Sequence, residues 1–304
     1  MNGLKISKKT RSNFMLFLVA FIWGTAFVAQ KHGLGVLQPN TFNGIRSLLS
    51  VAALLPVVLL KNRAKNSEPQ IIKQNPKTLL KAGIICGILL CGACTTQCTG
   101  LLYADAGKGG FVTAMYIVLV PLFGVIAGKK LKPLLAIAVV VATLGLYFLC
   151  VKDFSSFKVE KGDFWLVACA VFFSFHILAV DYFSPRVDGV KLSLFQFSVM
   201  AVINIVLMFI FEKPVLSEIL SCWFPIFYAG VMSGGVAYTL QIVAQKNTDP
   251  TVASILMSME SLIALLAGIA FGETPSARKL IGCAFMMAAI ILAQLPDKKG
   301  DKNV

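Results

Sequence analysis

Residues 241–273 read QIVAQKNTDPTVASILMSMESLIALLAGIAFGE. An apolar helix ends, a short polar turn (KNTDP) follows, and a long apolar helix begins, with one carboxylate, Glu260, near its middle. A weaker copy lies 144 positions earlier, from Gln97 to Lys129: QCTGLLYADAGKGGFVTAMYIVLVPLFGVIAGK. In ungapped register Gln97 meets Gln241, Asp105 meets Asp249 and Met115 meets Met259; Leu122, Gly124 and Gly128 meet Leu266, Gly268 and Gly272. Such a self-match points to an internal duplication, provided the rest of the chain divides in the same way.

Composition sets the medium. Of 304 residues, 57% are hydrophobic and 14% charged, against about a quarter charged in a soluble domain. That is too little polar surface to coat a water-soluble body, so the chain reads as a polytopic membrane protein. Its net charge of +14 does not indicate nucleic acid, because the basic residues lie in short loops between apolar runs; such loops set orientation in a membrane. The eight cysteines fall almost entirely inside apolar runs and read as small buried side chains. Cys91, Cys94 and Cys98 share a helix face by spacing, but no nearby histidine or carboxylate completes a metal set. The N-terminal KISKKTR precedes an apolar run too long for a cleaved signal peptide, and reads as the approach to a first transmembrane helix. The sequence holds no phosphate-binding glycine loop, paired-histidine zinc motif or nucleophile elbow. No cofactor is expected, and the energy source is a gradient of ions or of the substrate itself.

A spanning helix needs about 20 mostly apolar residues. Candidate spans run roughly over 14–32, 41–60, 79–98, 109–128, 133–151, 163–181, 192–211, 220–243, 251–271 and 278–295. With the N-terminus in the cytoplasm, nineteen lysines and arginines fall in inside segments and eight in outside segments, Arg46 lying within a span. The bias predicts a multi-pass protein of the plasma or inner membrane with both termini cytoplasmic. Ten helices divide into five and five, residues 1–151 and 152–304. An odd number per half turns the copies over relative to one another, giving the inverted-repeat plan that places a substrate site near the midplane between repeats. The expected fold class is therefore an all-α membrane protein of ten transmembrane helices in two inverted five-helix repeats.

Four motifs then resemble the EamA-like ten-helix branch of the drug/metabolite transporter superfamily, over nearly the whole length. The opening helix carries Trp23, Gly24, Thr25 and Phe27; the entry to helix two carries Pro39, Phe42 and Arg46; helix four carries Phe111, Thr113, Tyr116 and Pro121; helix nine carries Glu260 and Glu273. One departure is Ser261, where the family often has a kink-forming proline. The resemblance implies export or exchange of small polar or amphipathic metabolites, such as amino acids or drug-like compounds, by alternating access. It does not name the cargo.

Glu260 falls about nine residues into a helix of about twenty, near the bilayer centre at 1.5 Å per residue. A charge there costs at least ~2.5–3.5 kcal/mol, so Glu260 is expected to face a cavity and bind a substrate amine or carry a coupled proton. The alternative is a carboxyl hydrogen-bonded to a neighbouring helix. Arg46, about two turns into helix two, either attracts an anionic group or pairs with a carboxylate, the alternative being that it snorkels to the outer headgroups. His176, near the middle of helix six, either switches charge in a cavity or packs in a hydrogen bond. Gln97 and Gln241, repeat mates near helix ends, are expected along the substrate path at opposite faces, the alternative being interhelical hydrogen bonding. Trp23, Phe27, Tyr116 and Tyr238 either wall the cavity or pack as anchors. Glycines four apart, at Gly83 and Gly87, Gly124 and Gly128, and Gly268 and Gly272, predict close helix approach.

The implied partners are a small-molecule substrate, the lipid bilayer and a coupling proton or ion. Aromatics around one carboxylate lean toward a cationic or zwitterionic cargo. Monomer and homodimer stay open. Two competing classes are a membrane-embedded enzyme using Glu260 and His176 as acid and base, and a non-transporting membrane scaffold or regulator.

Overall fold

The computed structural model describes residues 7–65, 75–104, 106–151, 160–270 and 276–295. Asp105, Gly272 and Glu273 lie outside them, as do Lys5, Lys73, Lys152, Lys158, Lys298, Lys299 and Lys302 of the charge count. All regular structure among the described residues is helical. The elements are α1 (Lys8–Leu34), α2 (Pro39–Lys65), α3 (Pro76–Leu101), α4 (Ala106–Thr113), α5 (Tyr116–Ile126), α6 (Pro133–Cys150), α7 (Lys161–Phe183) and α8 (Gly189–Phe211). After them come the short α9 (Leu216–Ser221) and α10 (Trp223–Phe227), a π-helical segment (Tyr228–Ala237), α11 (Tyr238–Gln245), α12 (Pro250–Met257), α13 (Glu260–Ala270) and α14 (Ala277–Gln294).

Local chemistry starts these helices where the sequence places polar turns. Asp249 accepts from the Thr251 and Val252 amides at 2.8 and 3.4 Å, with Pro250 at the first helical position. Asp188 does the same for Val190 and Lys191, and Asn75 for Lys77 ahead of α3. Each side-chain acceptor satisfies an amide that has no intrahelical partner, and proline at that position lacks the amide altogether.

Among the described residues, nine stretches are long and apolar enough to cross a membrane. They are α1, α2, α3, Lys108–Ile126, α6, α7, α8, Trp223–Gln245 and α14. The remaining expected span, 251–271, the ninth in order, is formed by α12 and α13, which meet at a break over Ser258 and Met259. Span 109–128 is likewise broken, over Ala114 and Met115, between α4 and α5. At both breaks the ladder tightens to three-residue bonds. Met115 N donates to Val112 O at 3.2 Å and Ile117 N to Ala114 O at 3.0 Å; Met259 N donates to Leu256 O at 3.3 Å and Ser261 N to Ser258 O at 3.2 Å. Four-residue bonds flank both breaks, Leu119 to Met115 and Ile263 to Met259. No proline follows Glu260; instead the Ser258 hydroxyl bonds back to Ile255 O at 2.8 Å, a back-bond that bends helices.

The span expected over 220–243 also differs, because its middle is π-helical. Gly230 and Gly234 bring this segment close to α2: a Cβ on Gly230 would sit 2.7 Å from Arg46 O, and one on Gly234 would run into Ser50 Oγ. Ser50 Oγ donates to Gly230 O at 2.7 Å, taking up a carbonyl as the ladder widens. Elsewhere α3 packs on α7 and α8, α2 on α8, α6 on α14, and α1 on the π segment, α11, α12 and α13. Of the expected glycine pairs, Gly83 and Gly87 do meet α8, at Phe195 and Val199. Gly124 and Gly128 do not mediate helix packing. Gly128 lies past the end of α5 at φ +85°, a turn position that favours glycine, and a Cβ on Gly124 would meet only Lys129, at 3.9 Å.

Helices α6 and α14 also cross backbone-close through a pair of glycines. A Cβ on Gly145 would lie 2.9 Å from Met286 N, and one on Gly282 2.8 Å from Leu149 N. Gly145→Leu or Gly282→Leu is expected to destabilise by about 1–3 kcal/mol through overpacking, read as an earlier thermal transition of purified protein in detergent. Gly110→Ala, where an added Cβ meets nothing within 4 Å, is expected to leave that transition unchanged or slightly later.

Candidate functional site

Both helix breaks open onto one cavity of about 50 Å³. Tyr116 begins α5 and Glu260 begins α13, so two half-helix N-termini end at this space. A helix N-terminus carries partial positive charge, and a carboxylate in the first turn of α13 is favourably placed against it. Gly24 lets α1 close on this point, since a Cβ there would lie 2.6 Å from Glu260 O.

The cavity wall brings together Trp23, Arg46, Gln97, Tyr116, Tyr238, Gln241 and Glu260. Arg46 does not snorkel: it is 6% exposed and stacks its guanidinium over Phe42 at 5.6 Å. Gly230 and Ser50 hold the α2 backbone against the π segment at this level, which keeps the side chain among helices and away from headgroups. Among the described residues no carboxylate lies within ion-pairing distance of Arg46, and no cation within that distance of Glu260. Arg46 Nε, Trp23 Nε1, Tyr116 Oη and Gln241 Oε1 have no protein hydrogen-bond partner. The Tyr116 hydroxyl lies beside Glu260 without a direct hydrogen bond of ordinary geometry.

Tyr238 is the packing hub. Its ring lies 4.7 Å from Trp23, 5.5 Å from Phe197 and 6.1 Å from His176, and its hydroxyl is 3.8 Å from Cys94 Sγ. Phe173 meets Tyr116 edge-on at 6.3 Å, so the wall is aromatic on two sides.

Two expectations change. Gln97 and Gln241 were expected at opposite faces, yet both line this cavity. Gln97 accepts from Gln30 Nε2 at 3.2 Å, and Gln241 Nε2 donates to Gln245 at 2.9 Å. The spans cross here, so positions near nominal helix ends converge. His176, by contrast, is not among the lining residues. Phe173 and Ile177 occupy the α7 face toward the cavity, while His176 is fully buried behind Tyr238 with Nε2 3.1 Å from Gln196 Oε1. Glu260 and His176 therefore do not assemble as an acid–base pair on this cavity.

Lining residues that the sequence did not single out are Gln30, Phe173, Ser233 and Met257. Gln30 had a signal, an amide near the end of an apolar helix. Ser233 did not, because its direction depends on the π segment.

A second, larger cavity of about 420 Å³ opens beside the first. It runs along α5 from Val120 to Val125 and reaches the start of α12 at Pro250–Val252. Val120 is four residues from Tyr116, so this vestibule stops about one helical turn, roughly 6 Å, short of the central cavity.

A model of the EamA-like transporter family matches residues 10–151 and again residues 160–295. An uncharacterized transporter of Archaeoglobus fulgidus is 26% identical over 302 residues, covering 96% of this chain and 89% of that protein. The uncharacterized transporter YoaV of Bacillus subtilis is 22% identical over 260 residues, covering 82% of this chain and 85% of its own length. Among solved structures, one crystal structure at 20% identity superposes on 93% of this chain and 96% of its own, with a TM-score of 0.75. That likeness carries the fold.

If Tyr238 holds the wall by packing, Tyr238→Ala is expected to cost about 3–5 kcal/mol, as for other large aromatic truncations. Tyr238→Phe, which keeps the ring and loses only the long contact to Cys94, is expected to melt within a few degrees of the parent. Thermal unfolding of purified protein in detergent reads both.

Proposed function

We propose that this chain, which belongs to the EamA-like transporter family, is a secondary active transporter that exports or exchanges a small metabolite by alternating access. It is a multi-pass membrane protein, and the finer reading concerns how the two halves share one site. We read α12 and α13 together as the ninth span, which brings the total to ten. The bonds at the two breaks then correspond at an offset of 144: 115 to 112 with 259 to 256, 117 to 114 with 261 to 258, and 119 to 115 with 263 to 259. Contacts correspond as well: α3 on α7 is matched by α1 on the π segment and α11, and α5 on α7 by α13 on α1. Cys94 and Tyr238, also 144 apart, touch each other. These relations support two inverted five-helix repeats, with the cavity on the pseudo-twofold axis. The positive-inside bias supports cytoplasmic termini in the plasma or inner membrane.

The observation that carries the function is a cavity at two broken helices whose wall holds one carboxylate and one guanidinium that do not pair. A ligand with an amine and a carboxylate satisfies both, with the unpartnered Tyr116, Trp23 and Gln241 atoms to orient it. This supports a zwitterionic cargo such as an amino acid or a related metabolite, with Glu260 also the candidate carrier of a coupling proton. A space of about 50 Å³ holds only a few waters, so the arrangement corresponds to a closed state. Binding requires the α5 and α12 half-helices to separate, which joins the cavity to the vestibule.

In proteoliposomes, Glu260→Gln and Arg46→Gln are each expected to lower substrate flux about ten-fold or more, since a lost charge-assisted hydrogen bond is worth ~1.5–3 kcal/mol. A metabolite screen by thermal shift identifies the cargo first, because only a ligand that prefers the folded state raises stability. Full flux with unchanged pH dependence in Glu260→Gln overturns the role given to that residue.

A further inference from the structure

The larger cavity has a chemistry that the recognition of cargo at the central site does not account for. Four lysines stand on it: Lys9 from the start of α1, and Lys129, Lys130 and Lys132 from the α5–α6 connection. One carboxylate also lines it, Asp249, whose Oδ1 caps α12. Lys129 pairs with Asp181 at 2.7 Å. Among the described residues lining the mouth, lysines therefore outnumber carboxylates. Beside it, Thr248 is only 7% exposed, lines the cavity, and has a hydroxyl with no hydrogen-bond partner among the described residues. A buried unpartnered hydroxyl next to a basic rim is a donor waiting for an oxyanion.

Below the rim the wall turns apolar, through Val120, Pro121, Leu135, Leu178 and Leu292. At its edges Val125 is 47% and Leu295 50% exposed, so the apolar wall continues onto exposed apolar surface. A soluble oxyanion would use the lysines and leave this wall wet. A molecule with a phosphate at one end and a hydrocarbon chain at the other uses both. We propose that this vestibule binds an anionic phospholipid, its phosphate between the lysine rim and the Thr248 hydroxyl and one acyl chain along the apolar wall. Basic pockets between transmembrane helices on the cytoplasmic side recognise such headgroups, and about 420 Å³ is within the usual range of ligand sites. The proposal goes beyond the transport reading and does not depend on the cargo. The bound lipid abuts α5 and the first turn of α12, the two half-helices that also wall the central cavity.

The test uses the purified full chain in neutral detergent, with native mass spectrometry of lipid retention. Phosphatidylglycerol is expected to stay bound and phosphatidylcholine of the same chains to be lost. Combined Lys9→Gln, Lys130→Gln and Lys132→Gln is expected to reduce phosphatidylglycerol retention on the order of ten-fold or more. Thr248→Val, which removes no charge and nearly preserves volume, is expected to reduce it about three-fold, and keeps the test open if the triple variant fails to fold. A control that removes three basic groups elsewhere on the same predicted face, Arg63→Gln, Lys77→Gln and Lys81→Gln, is expected to retain the lipid. Equal retention of the two lipids overturns the proposal, as does a control variant that loses as much as the triple variant. Inorganic phosphate stabilising the protein as strongly as phosphatidylglycerol overturns it too, and assigns the site to a free oxyanion.

Discussion

Inside hydrocarbon no water is available to a freed amide or carbonyl, so a break in a spanning helix survives only where protein or a polar space takes up the loose groups. Two such breaks govern this molecule. Over Ala114–Met115 and Ser258–Met259 the ladder contracts to three-residue bonds, which keeps most backbone groups satisfied while the axis turns. Both breaks are covered by neighbouring helices, α7 over α5 and α1 over α13. What the breaks gain is placement. Tyr116 and Glu260 become the first residues of new helices instead of mid-helix side chains, and both N-termini end at one space.

The charges in that space follow from the same constraint. An isolated ion deep in a protein is costly, and even a paired one seldom repays its desolvation fully. Here Arg46 and Glu260 share a cavity wall without forming an ion pair. Each has partial relief: Arg46 from the Phe42 ring, Glu260 from the α13 N-terminus. A direct pair would satisfy both charges and leave little for a ligand to recognise. Held apart, they present charges of opposite sign to the cavity, beside the aromatic cluster around Tyr238.

Much of this was legible beforehand, for reasons that differ by residue. The spans followed from apolar run lengths, because a bilayer demands about 20 such residues whatever the fold. The polar turn KNTDP between two apolar runs marked the helix start that Asp249 caps. Glu260, Arg46, Trp23, Tyr116 and Tyr238 stood out as polar or amphipathic groups in apolar runs. Less legible were features that need a partner helix. The π segment depends on Gly230 and Gly234 meeting α2, and nothing in YAGVMSGGVA alone separates it from an ordinary helix. For His176 a cavity role and a packing role both stood open, and α8 supplied Gln196 as its hydrogen-bond partner. Gln97 and Gln241 looked distant because linear position in a span was taken as depth, whereas their spans converge.

Sequence alone determined that this chain lives in a membrane, where its helices start, and which few side chains are too polar to lie idle there. Those properties come from transfer free energy and from contacts within one turn, and both are written in composition and order. Which polar side chains meet, which are buried behind a neighbour, and where a spanning helix breaks were decided only by the tertiary structure. These depend on close approach between segments far apart in the chain, where a single glycine or serine sets the distance. The self-match between Gln97–Lys129 and Gln241–Glu273 pointed at the right two segments. Only packing turned their shared register into two bends facing one cavity.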